Sequence, residues 1–377
     1  MTSADTPSVD ERLHDLDQRL VARIAEITRD ELAGRRREQA RISPETAELA
    51  DRLLEYLEGG KLLRPRFCFW GGVAALGQEP TKAQLDALGR YGAAIELVQA
   101  AALLHDDVID HSPVRRGRPA LHVQAERQHR DTGLSGSAAD YGVAVAIVLG
   151  DLALSWAEQI AAGVDGEPAA VAAARREFDA LRTEVMSGQF LDILHQAGGF
   201  ASAADAEQAA LSVIRWKTVP YTVLRPVRIG AALMGGSQDA LERLSEWAVE
   251  VGTAFQLRDD LLSVVGDQQE TGKPIGGDIL EGKRTVLLAR TEAAADAAGR
   301  DLLAEVVGRA ASSAQQIAAV HDLMVSTGAV GSVVQEVRQR ADRGRALLED
   351  ASMLGDVGRA GLADLAALAT DVEPFAQ

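Results

Sequence analysis

His105-Asp106-Asp107-Val108-Ile109-Asp110 sets three carboxylates directly behind the apolar run Ala100 to Leu104. Arg258-Asp259-Asp260-Leu261-Leu262-Ser263 repeats the arrangement behind Val251 to Leu257. Both runs read as helix, and on a helix Asp106 and Asp110 stack one turn apart on a single face. An Asp-Asp pair in a helix is ordinarily a solvated face or a cap. Carboxylates that follow apolar stretches twice in one chain are harder to place in water, and burying them without a counter-charge is costly. A divalent cation is the simplest remedy. Oxygen ligands with no nearby Cys and no His-x3-His pair favour Mg²⁺ over zinc. Mg²⁺ keeps waters and completes its shell with phosphates, so the pattern points to a phosphorylated substrate.

Working outward, apolar residues recur at helical spacing along almost the whole chain, with no alternating strand. The spacing predicts helices over 9–34, 43–57, 61–76, 81–111, 138–163, 166–196, 202–218, 220–235, 238–265, 278–295, 300–310, 313–327, 329–350 and 357–371. Loops are expected at Thr132 to Ser137 and Gly266 to Gly277, which are rich in Gly, Ser or Asp, and residues 1–8 should be disordered. No composition shift divides the chain. The expectation is one all-α domain over 1–377, an antiparallel helical bundle with both acidic motifs facing a central cavity.

Composition agrees with that class. Hydrophobic residues are 47%, charged residues 25% and aromatics only 4% of 377 residues, which suits a globular helical protein. The net charge of −17 argues against nucleic acid as a partner. A lone cysteine, Cys68, excludes an intrachain disulfide and fits a reducing, cytoplasmic setting. No basic, apolar leader opens the chain. The longest apolar run, Val143 to Leu149, falls short of the ~20 residues a transmembrane helix needs.

Cations stand beside the acids in sequence. Lys61 and Arg64 follow Gly59-Gly60 at a helix start, a ready anion site. Arg115 and Arg116 follow the first acidic cluster, and arginine forks suit phosphate oxygens. Lys217-Thr218 and the stretch from Lys273 to Lys283 complete four basic sets. Each alone reads as surface charge; together they flank two acidic helices.

In this order, GGKLLRP (59–65), LLHDDVIDHSPVRRGRP (103–119), GQFLDI (188–193), KT (217–218), FQLRDDLL (255–262) and GKPIGGDILEGKRT (272–285) resemble the trans-isoprenyl diphosphate synthases, or polyprenyl synthetases. The resemblance spans Gly59 to Thr285. It implies the isoprenoid synthase fold, a homodimer, and condensation of isopentenyl diphosphate with an allylic diphosphate, with three Mg²⁺ per site. Asp106 and Asp110 then resemble ligands of two ions and Asp259 the ligand of a third. Asp107 and Asp260 would support nearby cations or waters, and Asp192 resembles an acid of the outer metal shell. Arg115, Lys217, Lys273 and Lys283 look like allylic diphosphate contacts. Lys61, Arg64 and Arg116, with Gln99 where many relatives have His, look like the clamp on isopentenyl diphosphate. Thr218 and Gln256 would stabilise the carbocation or orient the leaving group.

Ser263 departs from that pattern, standing where many relatives carry a fifth-position Asp, with Asp267 close behind. His105 reads as a packed helix residue rather than a base. The family's chain-length floor falls on Ala102, Ala101 and Val98. The two alanines lie about 6–8 Å beneath Asp106 at 1.5 Å per residue. Methyl groups there predict a product of C20 or longer, most simply geranylgeranyl diphosphate. Rival readings are a terpene synthase acting on one allylic diphosphate, a non-catalytic synthase subunit, and a di-iron carboxylate bundle. The first would not need the Lys61–Arg64–Arg116 clamp, the second would lose its acidic motifs, and the third needs Glu-x-x-His pairs on facing helices, of which none appears at suitable positions.

Overall fold

The computed structural model describes residues 9–265, 276–309 and 311–375. Its helices are α1 (Val9–Gln39), α2 (Pro44–Leu57), α3 (Leu63–Leu76), α4 (Lys82–Ile109), α5 (Leu121–Asp131), α6 (Ala138–Ala162), α7 (Pro168–Gln196), α8 (Ala203–Val213), α9 (Arg225–Leu233) and α10 (Gln238–Val265). Beyond these come α11 (Gly277–Glu281), α12 (Val286–Ala294), α13 (Ala297–Val306), α14 (Ala314–Ser326), α15 (Ala329–Glu349) and α16 (Asp356–Thr370). Two π-helical segments, Ile214–Thr218 and Pro220–Leu224, join α8 to α9, and a short antiparallel hairpin pairs β1 (Val114–Arg115) with β2 (Arg118–Pro119). The fold is all-α apart from that hairpin.

Local chemistry sets many of the boundaries. Thr81 caps α4 in a reciprocal box with Gln84, Ser313 does the same for α14 with Gln316, and Ser43 followed by Pro44 opens α2. Gly77 at φ 73° closes α3 in a conformation that suits glycine. Packing then follows sequence neighbours and crossings: α4 lies along α6, α3 on α9, α7 on α9, and α10 on α15. The α3–α9 crossing is unusually close. A Cβ on Gly230 would stand 1.7 Å from the Cys68 carbonyl oxygen, so only glycine lets these backbones meet. One continuous set of buried apolar side chains runs from Leu13 to Val372.

Three expectations need correcting. Helix α5 was not expected, because only Leu121, Ala125 and His129 of its residues are buried, a stripe too thin to stand out in the sequence. The hairpin was missed because each strand has two residues, too few to alternate. Its turn residues, Arg116 at φ 51° and Gly117 at φ 71°, both adopt the left-handed conformation that a two-residue hairpin requires. The helix expected over 278–295 is split into α11 and α12. Gly282 at φ 73° ends the first part and the Thr285 side chain caps the second. The 132–137 loop lies as expected. The disorder expected for 1–8, and Lys273, Asp267 and most of the 266–277 loop, fall outside the described residues.

Candidate active site

The middle of α4, the last turns of α7, the first π-helical segment, the end of α10 and the start of α3 converge on a cavity of about 610 Å³. It is lined by Lys61, Arg64, Gln99, Arg116, Lys217, Thr218, Gln256, Asp192, Asp259 and Lys283, among others. Asp106 and Asp110 sit just outside its wall, beside the lining residues Lys217 and Lys283. Residues from distant parts of the chain therefore meet as the motif pattern implied.

At the acidic side, each motif divides its labour. Asp106 Oδ1 accepts a hydrogen bond from Gln189 Nε2 at 2.9 Å and lies 3.8 Å from Lys217 Nζ. Asp110 is 3.3 Å from Lys283 Nζ. Burial, reinforced by Asp106 and Glu281 and opposed by Lys283, pushes the Asp110 carboxyl up to about 6. Asp107 behaves differently. It is buried and accepts two hydrogen bonds from the Arg115 guanidinium, the Nε one at 2.8 Å. In the second motif Asp259 is exposed at the cavity wall, whereas Asp260 is buried and accepts from Gln256 Nε2 at 2.7 Å. Burial, with Asp278 and Asp259 nearby, holds the Asp260 carboxyl well above the usual carboxylate range. Asp107 thus supports a cation of the chain itself, the Arg115 guanidinium, and Asp260 supports Gln256. The helical turn points the second Asp of each pair inward, where it holds a protein partner.

Two lysines sit among these acids. Lys217 Nζ donates to Asp192 Oδ2 at 2.5 Å. Lys283 lies 3.0 Å from Glu281 and 3.7 Å from Asp278 as well as near Asp110. Burial works against the Lys283 charge, but Asp278, Asp110 and Glu281 outweigh it and keep the ammonium protonated. Lys217 and Thr218 ride on the π-helical segment, whose wider turn is a frequent device at functional sites. Gly188 on α7 lets that segment approach: a Cβ there would be 2.5 Å from Lys217 Cα. Thr218 Oγ1 donates to Gln256 Oε1 at 2.6 Å, which links Thr218, Gln256 and Asp260 in one chain of hydrogen bonds.

The opposite side is basic and carries no acidic cluster. Arg64 stacks 4.2 Å above the Tyr221 ring and donates to Thr222 Oγ1 at 3.0 Å. The Tyr221 hydroxyl donates to Gln99 Oε1. Glu96 is buried beneath, and burial lifts its carboxyl above the ordinary range although Arg64 and Arg116 pull it down. Leu62, at φ 51°, carries the turn between Lys61 and α3.

Sequence reasoning gave no role to Glu96, Gln189, Tyr221 or Asp278. Glu96 had the same signal as the aspartates, a charge inside an apolar run. Asp278 matters because Ser263 Oγ donates to its Oδ2 at 2.5 Å. A carboxylate thus stands beside the position where the second motif lacks one.

The chain-length trio divides as well. Val98 and Ala101 are fully buried. Ala101 shares a helix face with His105, which packs on α6: a Cβ on Gly150 would meet the His105 ring at 2.2 Å. Ala102 instead lies half-buried on the face of Gln99 and Asp106. None of the three lines the cavity.

The donor set suits a hard cation. It consists of carboxylate oxygens, with lysines near them as exchangeable counter-charges. Among the described residues no three His, Cys, Asp or Glu side chains close into a cage, as befits an ion that takes much of its shell from phosphate and water.

The family profile for polyprenyl synthetase matches residues 47–324. A short chain isoprenyl diphosphate synthase of Methanothermobacter thermautotrophicus is 32% identical over 71% of this chain and 74% of its own length. A geranylgeranyl diphosphate synthase of Methanosarcina mazei is 32% identical over 61% of this chain and 63% of its own. Among solved structures, a geranylgeranyl pyrophosphate synthase from Corynebacterium glutamicum, complexed with isoprenyl diphosphate and magnesium, superposes with a TM-score of 0.85. It is 37% identical and the match covers 92% of this chain and 98% of that one.

Proposed function

The chain belongs to the polyprenyl synthetase family and is a trans-prenyltransferase, and on that premise we propose how its site works and what it makes. The enzyme joins isopentenyl diphosphate to an allylic diphosphate, giving an all-trans prenyl diphosphate of C20 or longer. The carrying observation is that one cavity has a basic side at the start of α3 and an acidic side formed by Asp192, Asp259 and Asp278, with Asp106 and Asp110 of α4 directly behind its Lys217 and Lys283. Two diphosphates with different needs can bind there together.

Asp106, Asp110 and Asp259 would hold up to three Mg²⁺. Bound between these carboxylates and the allylic diphosphate, the ions would supply charge neutralisation for the departing group. Lys217 and Lys283 are then free to turn from their carboxylates to phosphate oxygens. Lys61, Arg64, Gln99 and Arg116 hold isopentenyl diphosphate without metal, so its own C–O bond stays intact. As the allylic C–O bond breaks, the double bond of isopentenyl diphosphate attacks the allylic carbon and a proton leaves the adjoining carbon. The released diphosphate is the base, since the described residues set no His–carboxylate pair there. Thr218 and Gln256 turn oxygen lone pairs toward the developing cation.

The two second aspartates keep the frame. Asp107 fixes Arg115, and Asp260 fixes Gln256. A single domain and a homodimer complete the reading. On α7, Met186, Phe190, Ile193 and Leu194 form an exposed apolar stripe, continued on α6 by Tyr141, Ile147 and Val148. Helix α6 is also the one described helix that is long and apolar enough to cross a membrane by composition. A second copy covering this face accounts for its apolar surface equally well. The cytoplasmic setting rests on the single, buried Cys68.

Incubation with Mg²⁺, isopentenyl diphosphate and each allylic primer, followed by mass spectrometry, should show isopentenyl diphosphate consumed and products of C20 or longer. Release of diphosphate from the allylic substrate alone, with isopentenyl diphosphate untouched, would favour a terpene synthase instead. The chain-length reading has its own variant. Ala102→Phe places a ring one turn below Asp106 and should shift products toward C15. Ala101→Phe should instead overpack the α4–α6 contact and lower Tm. An unchanged product spectrum for Ala102→Phe would place the floor on another helix.

A further inference from the structure

Behind the basic side of the active-site cavity lies a second pocket of about 220 Å³, between the end of α2, the hairpin and the start of α5. Its wall includes Arg52, Tyr56, Arg115, Arg116 and Arg118, four guanidinium groups against the two carboxylates of Glu55 and Glu58. Arg115 and Arg116 also line the inner cavity, so the two spaces share a partition. Such a gathering of guanidinium groups in a chain of net charge −17 is unexpected. It is only partly answered by acids. Arg118 lies 3.8 Å from Glu55 with both side chains largely exposed, and Arg52 lies 4.0 Å from Glu48. Arg116 donates to the Glu58 carbonyl at 3.4 Å and feels the buried Glu96 on the inner side.

The Tyr56 hydroxyl is the second observation. Its oxygen is buried and has no hydrogen-bond partner, which is costly for a phenol that could have been a phenylalanine. Burial and the neighbouring Asp107 keep the phenol protonated, so it is a donor. Arg116 is held at φ 51° by the hairpin turn, a conformation rare for a side chain of this size and typical of sites where position matters. Arg115 is held by Asp107 and Arg52 by Gln128, but Arg116, Arg118 and the Tyr56 hydroxyl keep donor capacity beside a space the size of a small polyanion, which suits an acceptor-rich ligand.

We propose that this outer pocket is a second anion site, built for a diphosphate and sharing Arg116 with the inner cavity. The inference rests on the reading that the inner cavity binds diphosphates, since the reaction then releases inorganic diphosphate next to the shared wall. Arg116 cannot serve both sites fully. Diphosphate in the outer pocket therefore weakens the clamp on isopentenyl diphosphate, which makes the pocket a seat for product inhibition.

Calorimetric titration of the full-length, metal-free protein with inorganic diphosphate in EDTA tests this directly. Two sites per chain are expected. Arg52→Gln/Arg118→Gln should weaken one of them by about ten-fold or more, and Lys61→Ala should weaken the other. Tyr56→Phe keeps the shape of the ring and should weaken the outer site in the same direction, which guards against a folding artefact in the double variant. In turnover, inhibition by inorganic diphosphate should be relieved in both outer variants. A single site in the wild type, or two sites untouched by both outer variants, would overturn the proposal. If the outer variants lose a site while Lys61→Ala changes nothing, the outer site stands and the reading of the inner clamp fails.

Discussion

Asp106→Ala should lower kcat by about 10³-fold, the scale of removing a principal electrostatic group from a transition state, with Tm changed by only a few degrees. Asp106 lies beside the cavity-lining Lys217 and Arg115, at 3.8 Å and 4.0 Å, and accepts from Gln189. Each of those groups has another partner or reaches solvent, so its loss leaves no buried charge stranded. The KM for isopentenyl diphosphate should change little, because Lys61, Arg64 and Gln99 are elsewhere on the wall. The adjacent residue should behave in the opposite sense. Asp107→Ala strands the buried Arg115 guanidinium and should cost about 3–5 kcal/mol of stability, read as a large fall in Tm. Steady-state kinetics and thermal melts on both variants decide the matter. Equal loss of stability in the two would mean that the division of labour within the acidic motif is wrong.

That division shows where the sequence is legible. Spacing placed Asp106 and Asp110 on one helix face, and the structure keeps them there. Spacing also puts Asp107 and Asp260 about 100° round the helix from their neighbours, toward whatever packs behind. The identity of that partner is tertiary information: Arg115 reaches Asp107 because of the hairpin turn, and Gln256 reaches Asp260 along the same helix. Residue type alone therefore does not say which carboxylates of each motif hold a protein partner. The same rotation separates Ala102 from Ala101, and nothing in a run of alanines reveals which methyl shares the face of Gln99 and Asp106. Long helices were readable because wide apolar stripes repeat over several turns. Helix α5 was not, since its buried stripe is three residues, and neither was the hairpin, whose strands are too short to have a period. Gly282 is legible as a helix breaker, but the apolar pattern continues on either side of it and masks the break. The basic groups were found by type, but their division into an inner clamp and an outer pocket depends on how the Gly59–Gly60 turn meets the hairpin.

Gly188→Ala should lower kcat by about 10²-fold, and this rests on backbone approach rather than on any lost functional group. Gly188 lies one turn before Asp192 on α7, facing the π-helical segment. An added Cβ would stand 2.5 Å from Lys217 Cα and 2.6 Å from the Trp216 carbonyl oxygen, both backbone atoms that cannot rotate away. The segment must retreat by about 1 Å to restore ordinary contact, and displacements of that size at positioning groups cost about 10²-fold in rate. Lys217 would lose its 2.5 Å contact with Asp192 and its place beside Asp106, and Thr218 would move off Gln256. Overpacking at this crossing should also lower stability by about 1–3 kcal/mol, a fall of several degrees in Tm. Helix propensity works the other way, since alanine is the better helix former by about 1 kcal/mol, so any loss of stability is due to the crossing. Ser187→Ala, on the exposed side of the same turn, is the control and should change neither quantity. If Gly188→Ala keeps kcat within about two-fold of the parent, a difference of under ~0.5 kcal/mol, Lys217 is not held in place by this approach. The π-helical segment would then have to be positioned from the α10 side, through Gly252, where a Cβ would meet Val219 Cα at 3.1 Å.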